Sequence, residues 1–291
     1  MRCKAWIIAA LLTLLLAGCS TLRLSYSQGS TLAYWWLDGY ADFSREQSPQ
    51  VRAALDGWFH WHRSTQLPEY AQALAALQVQ LQLQLQVADK LTPAQVCSQL
   101  QAWQQRAERA YEHAVPAIAE QLRSFTPEQI AQVDQRQKKK LKEAIGDHLQ
   151  PDLADRRKAA YQRVLDRAEM AYGRLNAAQR QWLSAEVLAS PFKPELWLAE
   201  RAQRQQDSMR YLRQWQAERA DTGAVQAGLR RLGQAMLVSP RADYQAMADA
   251  LSQANCQLAA GLHNGASPQQ RQHLIDKLKG WEGDALALAK P

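Results

Sequence analysis

Four segments of the sequence share one device that starts helices. In each, a residue with a short polar side chain is followed three positions later by Gln. This spacing is typical of a capping box, in which the first side chain accepts a hydrogen bond from the third helical amide and the Gln side chain bonds back to the capping amide. The four pairs are Thr92 and Gln95, Thr126 and Gln129, Asn176 and Gln179, and Ser267 and Gln270. They predict four helix starts spread over most of the chain.

Composition leaves little material for a β-sheet. Residues 19–291 contain only 10 Val, 4 Ile and 6 Thr, and sheets favour these β-branched residues. We therefore expect an all-α, multi-helix bundle. The apolar spacing and the caps predict helices at 93–123, 127–149, 152–173, 176–189, 194–220, 222–237, 240–264 and 268–289.

Two further segments bear on the N-terminal part of the bundle. Ser48-Pro49 predicts a helix that is capped by Ser48 and has proline at its first position. Between Gln78 and Gln86, Val or Leu alternates with Gln, which is a strand pattern. Because Leu and Gln favour helices and no turn residues flank the segment, we interpret it as a helix buried on more than one side, with a strand as the alternative.

The first nineteen residues read as an export signal. Arg2 and Lys4 precede an apolar run of thirteen residues from Ala5 to Ala17. This run is shorter than the roughly 20 apolar residues that span a bilayer, and it suits a signal peptide. It ends at Leu16-Ala17-Gly18-Cys19, which resembles the lipobox of bacterial lipoproteins. The resemblance implies that residues 1–18 are a cleaved signal peptide and that Cys19 is lipidated; an ordinary secretory signal with a chance cysteine is the alternative.

The residue after the lipobox bears on the destination. In bacterial lipoproteins an Asp after the lipidated cysteine favours the inner membrane, and this chain has Ser20. The same resemblance therefore implies an outer-membrane lipoprotein that faces the periplasm. We expect residues 19–30 to be the lipidated tether and residues 31–291 to be an all-helical periplasmic domain, with a sub-boundary near residue 90 as an option.

Two cysteines remain after the signal region. Cys97 and Cys256 would lie in an oxidising compartment, so a disulfide between them is one hypothesis. The alternative is two buried thiols that act as small apolar residues.

Charge favours some partners over others. Without Arg2 and Lys4, 33 Lys and Arg face 28 Asp and Glu. These charges are mixed along the chain, so we expect no nucleic-acid partner. The run from Lys138 to Lys142 and the trio Arg156-Arg157-Lys158 are interpreted as solvated helix faces, with contact to anionic lipid as the alternative.

An aromatic segment follows the tether. Leu32, Trp36, Tyr40 and Phe43 have helical spacing, and we expect this stripe to lie in the core. The alternative is that Trp35 and Trp36 rest at a membrane interface.

Several segments together resemble an uncharacterised family of proteobacterial lipoproteins. Besides the lipobox, the matching segments are Tyr34-Trp35-Trp36-Leu37-Asp38, Trp61-His62-Arg63 and Leu67-Pro68-Glu69-Tyr70-Ala71. The resemblance implies an all-helical envelope lipoprotein with a domain of unknown function. It implies no reaction and no catalytic residue.

Two of the capping segments allow a sharper comparison. Leu-Thr-x-x-Gln resembles the motif of the small periplasmic chaperones of the Spy and CpxP kind, which are cradle-shaped dimers that bind unfolded proteins. Thr92 with Gln95, and Thr126 with Gln129, match the polar positions of that motif. A capping box alone also explains the pattern, and we favour that explanation.

No motif in the sequence indicates a catalytic site, a metal site or a cofactor site. The best polar set comprises Asp38, Asp42, His62, Arg63 and Glu69. Asp38 and Asp42 share a helix face, and Arg63 is a partner for either of them. We interpret this patch as an ion pair between two helices, with a partner-binding patch or an active cleft as the alternatives.

The leading hypothesis for function is therefore a non-enzymatic, protein-binding factor. It would be held at the membrane by the N-terminal lipid and would bind other envelope proteins, as a chaperone-like or scaffolding lipoprotein. The alternative is an envelope enzyme, or an accessory to one, that acts on cell-wall or lipid substrates.

Overall fold

The computed structural model describes residues 21–87 and 89–290 of the chain. Cys19 and the signal region lie outside the described residues. The described part is largely helical, with no strand in it, so the all-α class is confirmed. Its helices are α1 (Thr21–Ser27), α2 (Gly29–Ala41), α3 (Gln47–Trp61), α4 (Leu67–Val87), α5 (Pro93–Arg123), α6 (Pro127–His148), α7 (Leu153–Tyr172), α8 (Ala177–Ala189), α9 (Pro194–Glu218), α10 (Thr222–Leu237), α11 (Ala242–Asn264) and α12 (Pro268–Ala289).

All four predicted capping boxes are formed. Thr92, Thr126, Asn176 and Ser267 each accept a hydrogen bond from the amide of the Gln three residues later, and each Gln side chain bonds back. These boxes open α5, α6, α8 and α12. The predicted helix starts follow from local chemistry, since each box satisfies two amides that have no partner inside the helix.

Helix α3 begins earlier than Ser48-Pro49 predicts. Its first residue is Gln47, because Ser44 and Gln47 form a reciprocal pair with the capping-box spacing. The Ser44 amide donates to Oε1 of Gln47 at 2.9 Å, and the Gln47 amide donates to Oγ of Ser44 at 3.3 Å. Ser48 therefore lies inside the helix, where its hydroxyl bonds the Ser44 carbonyl at 2.8 Å.

The capping glutamines also meet one another across the fold. The side-chain amides of Gln179 and Gln270 exchange hydrogen bonds of 2.7 and 3.0 Å, which joins the starts of α8 and α12. Gln47 and Gln129 do the same at 3.2 and 2.7 Å, which joins the starts of α3 and α6. Each pair fixes two helix ends that are more than 80 residues apart in sequence.

The helices pack around several connected apolar clusters. Helix α4 lies along α12, α6 packs on α9, and α5 contacts α10 and α11. The segment from Gln78 to Gln86 is part of α4, so the helical interpretation is confirmed. It is buried on one side only, because α12 covers Leu81 while Val79 and Leu83 remain exposed.

A disulfide links two helices of the bundle. Cys97 of α5 and Cys256 of α11 form a disulfide with their Cα atoms 5.5 Å apart. The disulfide hypothesis for these cysteines therefore describes them, and not the alternative of two buried thiols.

Across the described residues, none of the helices combines the length and the apolar character that crossing a membrane requires.

The aromatic stripe on α2 is not where the sequence predicts it. Tyr34 and Ala41 are buried, whereas Leu32 is 53% exposed and Trp35 and Trp36 are each 63% exposed. The expectation that Leu32 and Trp36 lie in the core is wrong. Helix α2 has apolar residues on two faces, and the face that contains Tyr34 is the one that packs against its neighbours.

Candidate functional site

A wide groove lies between α5, α9 and α10. Its volume is about 1190 Å³. The lining runs over residues 104–112 of α5, 197–208 of α9 and 229–237 of α10. With a rise of 1.5 Å per residue, these stretches are about 12 to 17 Å long. The groove therefore has room for about four or five residues of an extended chain.

Apolar side chains form much of the groove wall. Tyr111, Leu229, Leu232 and Met236 all line it, and the Tyr111 hydroxyl donates to the Leu229 carbonyl at 2.7 Å. Helices α5 and α10 approach closely at Gly233, where an added Cβ would come within 2.6 Å of the Tyr111 ring. This wall can hold apolar side chains of a ligand.

A buried carboxylate network closes one part of the groove. Glu200 of α9 is 3% exposed. Its Oε1 accepts hydrogen bonds from Nε of Arg204 at 2.5 Å, from Nη2 of Arg241 at 2.8 Å and from the Ser239 hydroxyl at 3.0 Å, and its Oε2 accepts one from Nε of Arg241. Burial alone would raise the pKa of Glu200, but the bonds from Arg241, Arg204 and Ser239 outweigh it and lower the pKa to about 2. The carboxylate is thus permanently charged and fully engaged, which suits a role in holding α9 to the start of α11.

Arg201 also lies in the groove wall, and it forms no ion pair with the part of the chain that the structure describes. Its guanidinium lies 5.7 Å from the centroid of the Trp197 ring. Its Nε is buried and has no hydrogen-bond partner among the described residues. The side chain as a whole is partly exposed, lines the groove and forms no ion pair with the described residues, so a ligand that carries a carboxylate would gain from bonding to its accessible part.

The predicted polar patch is divided among three places. Asp38 and Asp42 lie at the end of α2, where Asp38 accepts a hydrogen bond from the Phe43 amide at 3.0 Å and the Asp42 carbonyl accepts one from the Gln129 side chain at 3.1 Å. Asp42 also ends the helix in the left-handed region, with φ of 49°.

The other members of the patch lie further along the chain. His62 and Arg63 belong to a single turn of π-helix, His62–Gln66, between α3 and α4. The Arg63 guanidinium lies over the ring of Tyr26 at 5.7 Å, and Glu69 forms ion pairs with Arg106 and Arg109 of α5. The expected pairing of Arg63 with Asp38 or Asp42 does not occur among the described residues.

The π-helical turn carries a hydrogen-bonded aromatic group that the sequence did not reveal. Nδ1 of His62 lies 2.7 Å from the hydroxyl of Tyr26 in α1, and the His62 ring stacks on Trp58 at 4.7 Å. Burial lowers the pKa of His62 and raises that of Tyr26. The contact attaches α1 to the body of the bundle.

Neither the groove nor this contact has a local sequence signal. The groove residues are separated by up to about 130 positions and meet only because α5, α9 and α10 pack together. Within the described part of the chain, no group of three or more His, Cys, Asp or Glu side chains is placed to hold a metal ion.

Comparison with known families places the chain. A family of unknown function, DUF6279, matches residues 39–231, about two thirds of the sequence. The chain belongs to this family. The expectation of membership in an uncharacterised family is thereby confirmed. The match begins inside α2 and ends inside α10, so it contains the π-helical turn and most of the groove lining. No curated protein and no solved structure matches the chain.

Proposed function

We propose that this member of the DUF6279 family is a lipoprotein, anchored through Cys19 in the outer membrane and facing the periplasm, that binds a segment of another envelope protein in the α5–α9–α10 groove. It acts as a chaperone-like or scaffolding factor and catalyses no reaction. The observation that carries the proposal is the groove itself, with its apolar wall and the Arg201 guanidinium, which has no ion-pair partner among the described residues.

The shape and chemistry of the groove define the ligand. The apolar wall of Tyr111, Leu229 and Met236 favours a segment with apolar side chains. Arg201 adds a preference for a carboxylate, because its guanidinium lines the groove and has no ion-pair partner among the described residues. The ligand class is therefore a short extended peptide that combines apolar and acidic residues.

The ionisable groups around the groove support binding more than catalysis. Glu200, Arg204 and Arg241 are joined to one another, and Arg230 pairs with Glu112. A general base needs a pKa near the working pH, whereas the pKa of Glu200 is about 2.

Fluorescence anisotropy with two labelled peptides tests the binding proposal. One peptide alternates Leu with Asp, and the other has Asn in place of each Asp. The full chain in detergent micelles should bind the acidic peptide about five-fold more tightly, since a hydrogen bond to a charged group is worth about 1 kcal/mol more than a neutral one. In Arg201→Gln this preference should disappear.

A matched pair of variants locates the binding. Met236 lines the groove and is 59% exposed, and Met170 on α7 is 54% exposed and lies outside it. Met236→Glu should weaken both peptides strongly, and Met170→Glu should leave both unchanged. The proposal would be overturned if the unmodified chain bound the acidic and the neutral peptide equally, or if Arg201→Gln kept the preference for the acidic peptide. Equal losses of affinity in Met236→Glu and Met170→Glu would overturn it too.

A separate measurement tests the anchor. Trypsin cleavage after Arg23 releases the peptide from Cys19 to Arg23 if the signal peptide is removed as proposed. Mass spectrometry should find this peptide with acyl chains on Cys19. A peptide that begins elsewhere, or one with a free Cys19, would overturn lipid anchoring and leave the groove proposal in place.

A further inference from the structure

An exposed apolar surface lies on α2, close to the proposed lipid anchor. Leu32, Trp35 and Trp36, here called the tryptophan face, are 53%, 63% and 63% exposed. They follow one another at helical spacing, on the side of α2 opposite to the buried Tyr34 and Ala41. Clusters of exposed large apolar side chains mark surfaces that are covered in the working protein.

The chain gives the bundle little distance from the lipid. Cys19 precedes the first residue of α1 by two positions, which is at most about 7 Å of extended chain. Helix α1 is itself fixed to the bundle, through the ion pair of Arg23 with Asp284 and the contact of Tyr26 with His62. An acyl chain on Cys19 therefore brings the bundle to the membrane surface and does not leave it on a long tether.

Cationic side chains flank the tryptophan face on α6. The Trp36 ring packs on Tyr40 at 4.9 Å, and α2, which carries both rings, packs against α6. Helix α2 is held against α6, since the Asp42 carbonyl accepts a hydrogen bond from Gln129. The basic run of residues 138–142 thus lies on the helix that packs against α2.

Part of this basic run is free to meet a partner. Lys138 pairs with Asp134 and Lys140 with Glu143. Lys139 and Lys142 are exposed and form no ion pair with the described residues. On the other side of α2, Arg52 lies 3.5 Å from the centroid of the Tyr34 ring and 6.0 Å from that of Trp35.

We propose that the tryptophan face and the lysine run of α6 form one surface that seats the bundle on the lipid headgroups of the bilayer. Tryptophan and tyrosine favour the boundary between headgroups and acyl chains, and lysines beside them bind anionic headgroups. The proposal rests on the anchor at Cys19 for the position of the membrane. It goes further, because it gives the bundle a fixed orientation that places one defined face on the lipid.

Quenching of tryptophan fluorescence by brominated lipids tests the surface. The lipidated full chain is reconstituted in vesicles of phosphatidylethanolamine and phosphatidylglycerol with brominated acyl chains. About two of the nine tryptophans after residue 19 should be quenched. Trp35→Phe with Trp36→Phe should remove this quenching. Trp182→Phe, which alters a tryptophan packed against Gly261 of α11, should leave the quenched part unchanged.

The lysine contribution has its own matched control. Lys139→Ala with Lys142→Ala should weaken docking on anionic vesicles by about five-fold for each charge removed. Arg157→Ala with Lys158→Ala removes two exposed charges from α7 and should have no effect. Added salt should reduce docking of the unmodified chain and change the lysine variant less.

The outcomes separate this proposal from the anchor. Acylated Cys19 with no quenching of Trp35 and Trp36 would overturn the docking surface alone. If the chain isolated from its membrane carried no acyl groups and its tryptophans were still quenched on added vesicles, the docking surface would be supported and the anchor would be overturned. Absence of quenching together with cross-links between the tryptophan faces of two copies would show a self-association surface, and the proposal would be wrong.

Discussion

Two tyrosine–histidine pairs in this chain have similar geometry and different surroundings. The hydroxyl of Tyr172 in α7 lies 3.1 Å from Nδ1 of His263 in α11, and the hydroxyl of Tyr26 in α1 lies 2.7 Å from Nδ1 of His62. His263 is 2% exposed and its pKa falls to about 4, through burial and the nearby Arg271. His62 is 9% exposed and belongs to the π-helical turn that receives α1.

The difference shows how context changes the use of one contact. The deep pair lies inside the apolar cluster of α7, α8 and α11, next to the joined caps of Gln179 and Gln270. The outer pair joins the bundle to a helix of seven residues, which is also attached through the ion pair of Arg23 with Asp284 and the packing of Tyr26 on Phe59. We therefore expect the deep pair to contribute to the stability of the whole bundle, and the outer pair to contribute mainly to the docking of α1.

The largest effect should come from the covalent support of the deep region. Cys256 lies on the same helix as His263, and its bond to Cys97 closes a loop with a sequence separation of 159. Reduction should lower the free energy of unfolding by about 5 kcal/mol in the chain-entropy model. Urea unfolding with and without reductant measures this loss. Cys97→Ala with Cys256→Ala should show no response to reductant; equal midpoints for the oxidised and reduced natural chain would contradict the prediction.

The next effect concerns pH. The pKa of His263 is about 4 in the folded chain and about 6.5 when unfolded. Protonation therefore favours the unfolded state, so the contribution is complete above about pH 6.5 and is lost as the pH falls toward about 4. The loss should reach about 3 kcal/mol.

Urea midpoints across this pH range give the measurement for the deep pair. His62 shifts in the same direction, so acid should also favour release of α1. His263→Phe should have a flatter pH profile than the natural chain, while His62→Phe should keep the steep one. A steep profile that disappears in His62→Phe would reverse the comparison.

The smallest effect compares the two hydroxyls directly. Tyr172→Phe should cost about 1–3 kcal/mol, because it leaves a buried histidine nitrogen without a partner. Tyr26→Phe should cost less than about 1 kcal/mol in global stability, but it should speed trypsin cleavage at Arg23 as α1 is released. Equal losses of stability, with no change in the cleavage rate, would show that the two pairs do not differ in role.

The sequence was most informative where structure depends on neighbours in the chain. The capping boxes set helix starts through hydrogen bonds that span three residues, so the sequence spacing alone predicts them. They lie at Thr92, Thr126, Asn176 and Ser267. The low content of β-branched residues likewise excluded a large sheet. Ser44 and Gln47 have the same spacing, but the Ser48-Pro49 pattern beside them predicted a different start for α3.

The sequence was least informative where structure depends on packing between distant helices. Helix α2 has two apolar faces, and periodicity alone could not decide that Tyr34 is buried and Trp36 exposed. The groove depends on how α5, α9 and α10 meet, and the unpaired Nε of Arg201 depends on where its neighbours' carboxylates go. The polar patch failed for the same reason, since Glu69 found its partners on α5.

The disulfide has a mechanical consequence for a protein that is tethered at one end. The bond from Cys97 to Cys256 encloses most of α5 and all of α6 to α10, so the groove walls belong to one covalent ring. With the anchor proposed at Cys19, a pull on a bound segment would pass from the ring through residues 19–97 to the membrane. Tension along this path can detach α1 and strain α2 to α4, but the disulfide prevents it from extending the residues between Cys97 and Cys256. The groove that we propose as a binding site therefore keeps its walls when the N-terminal helices partly unfold.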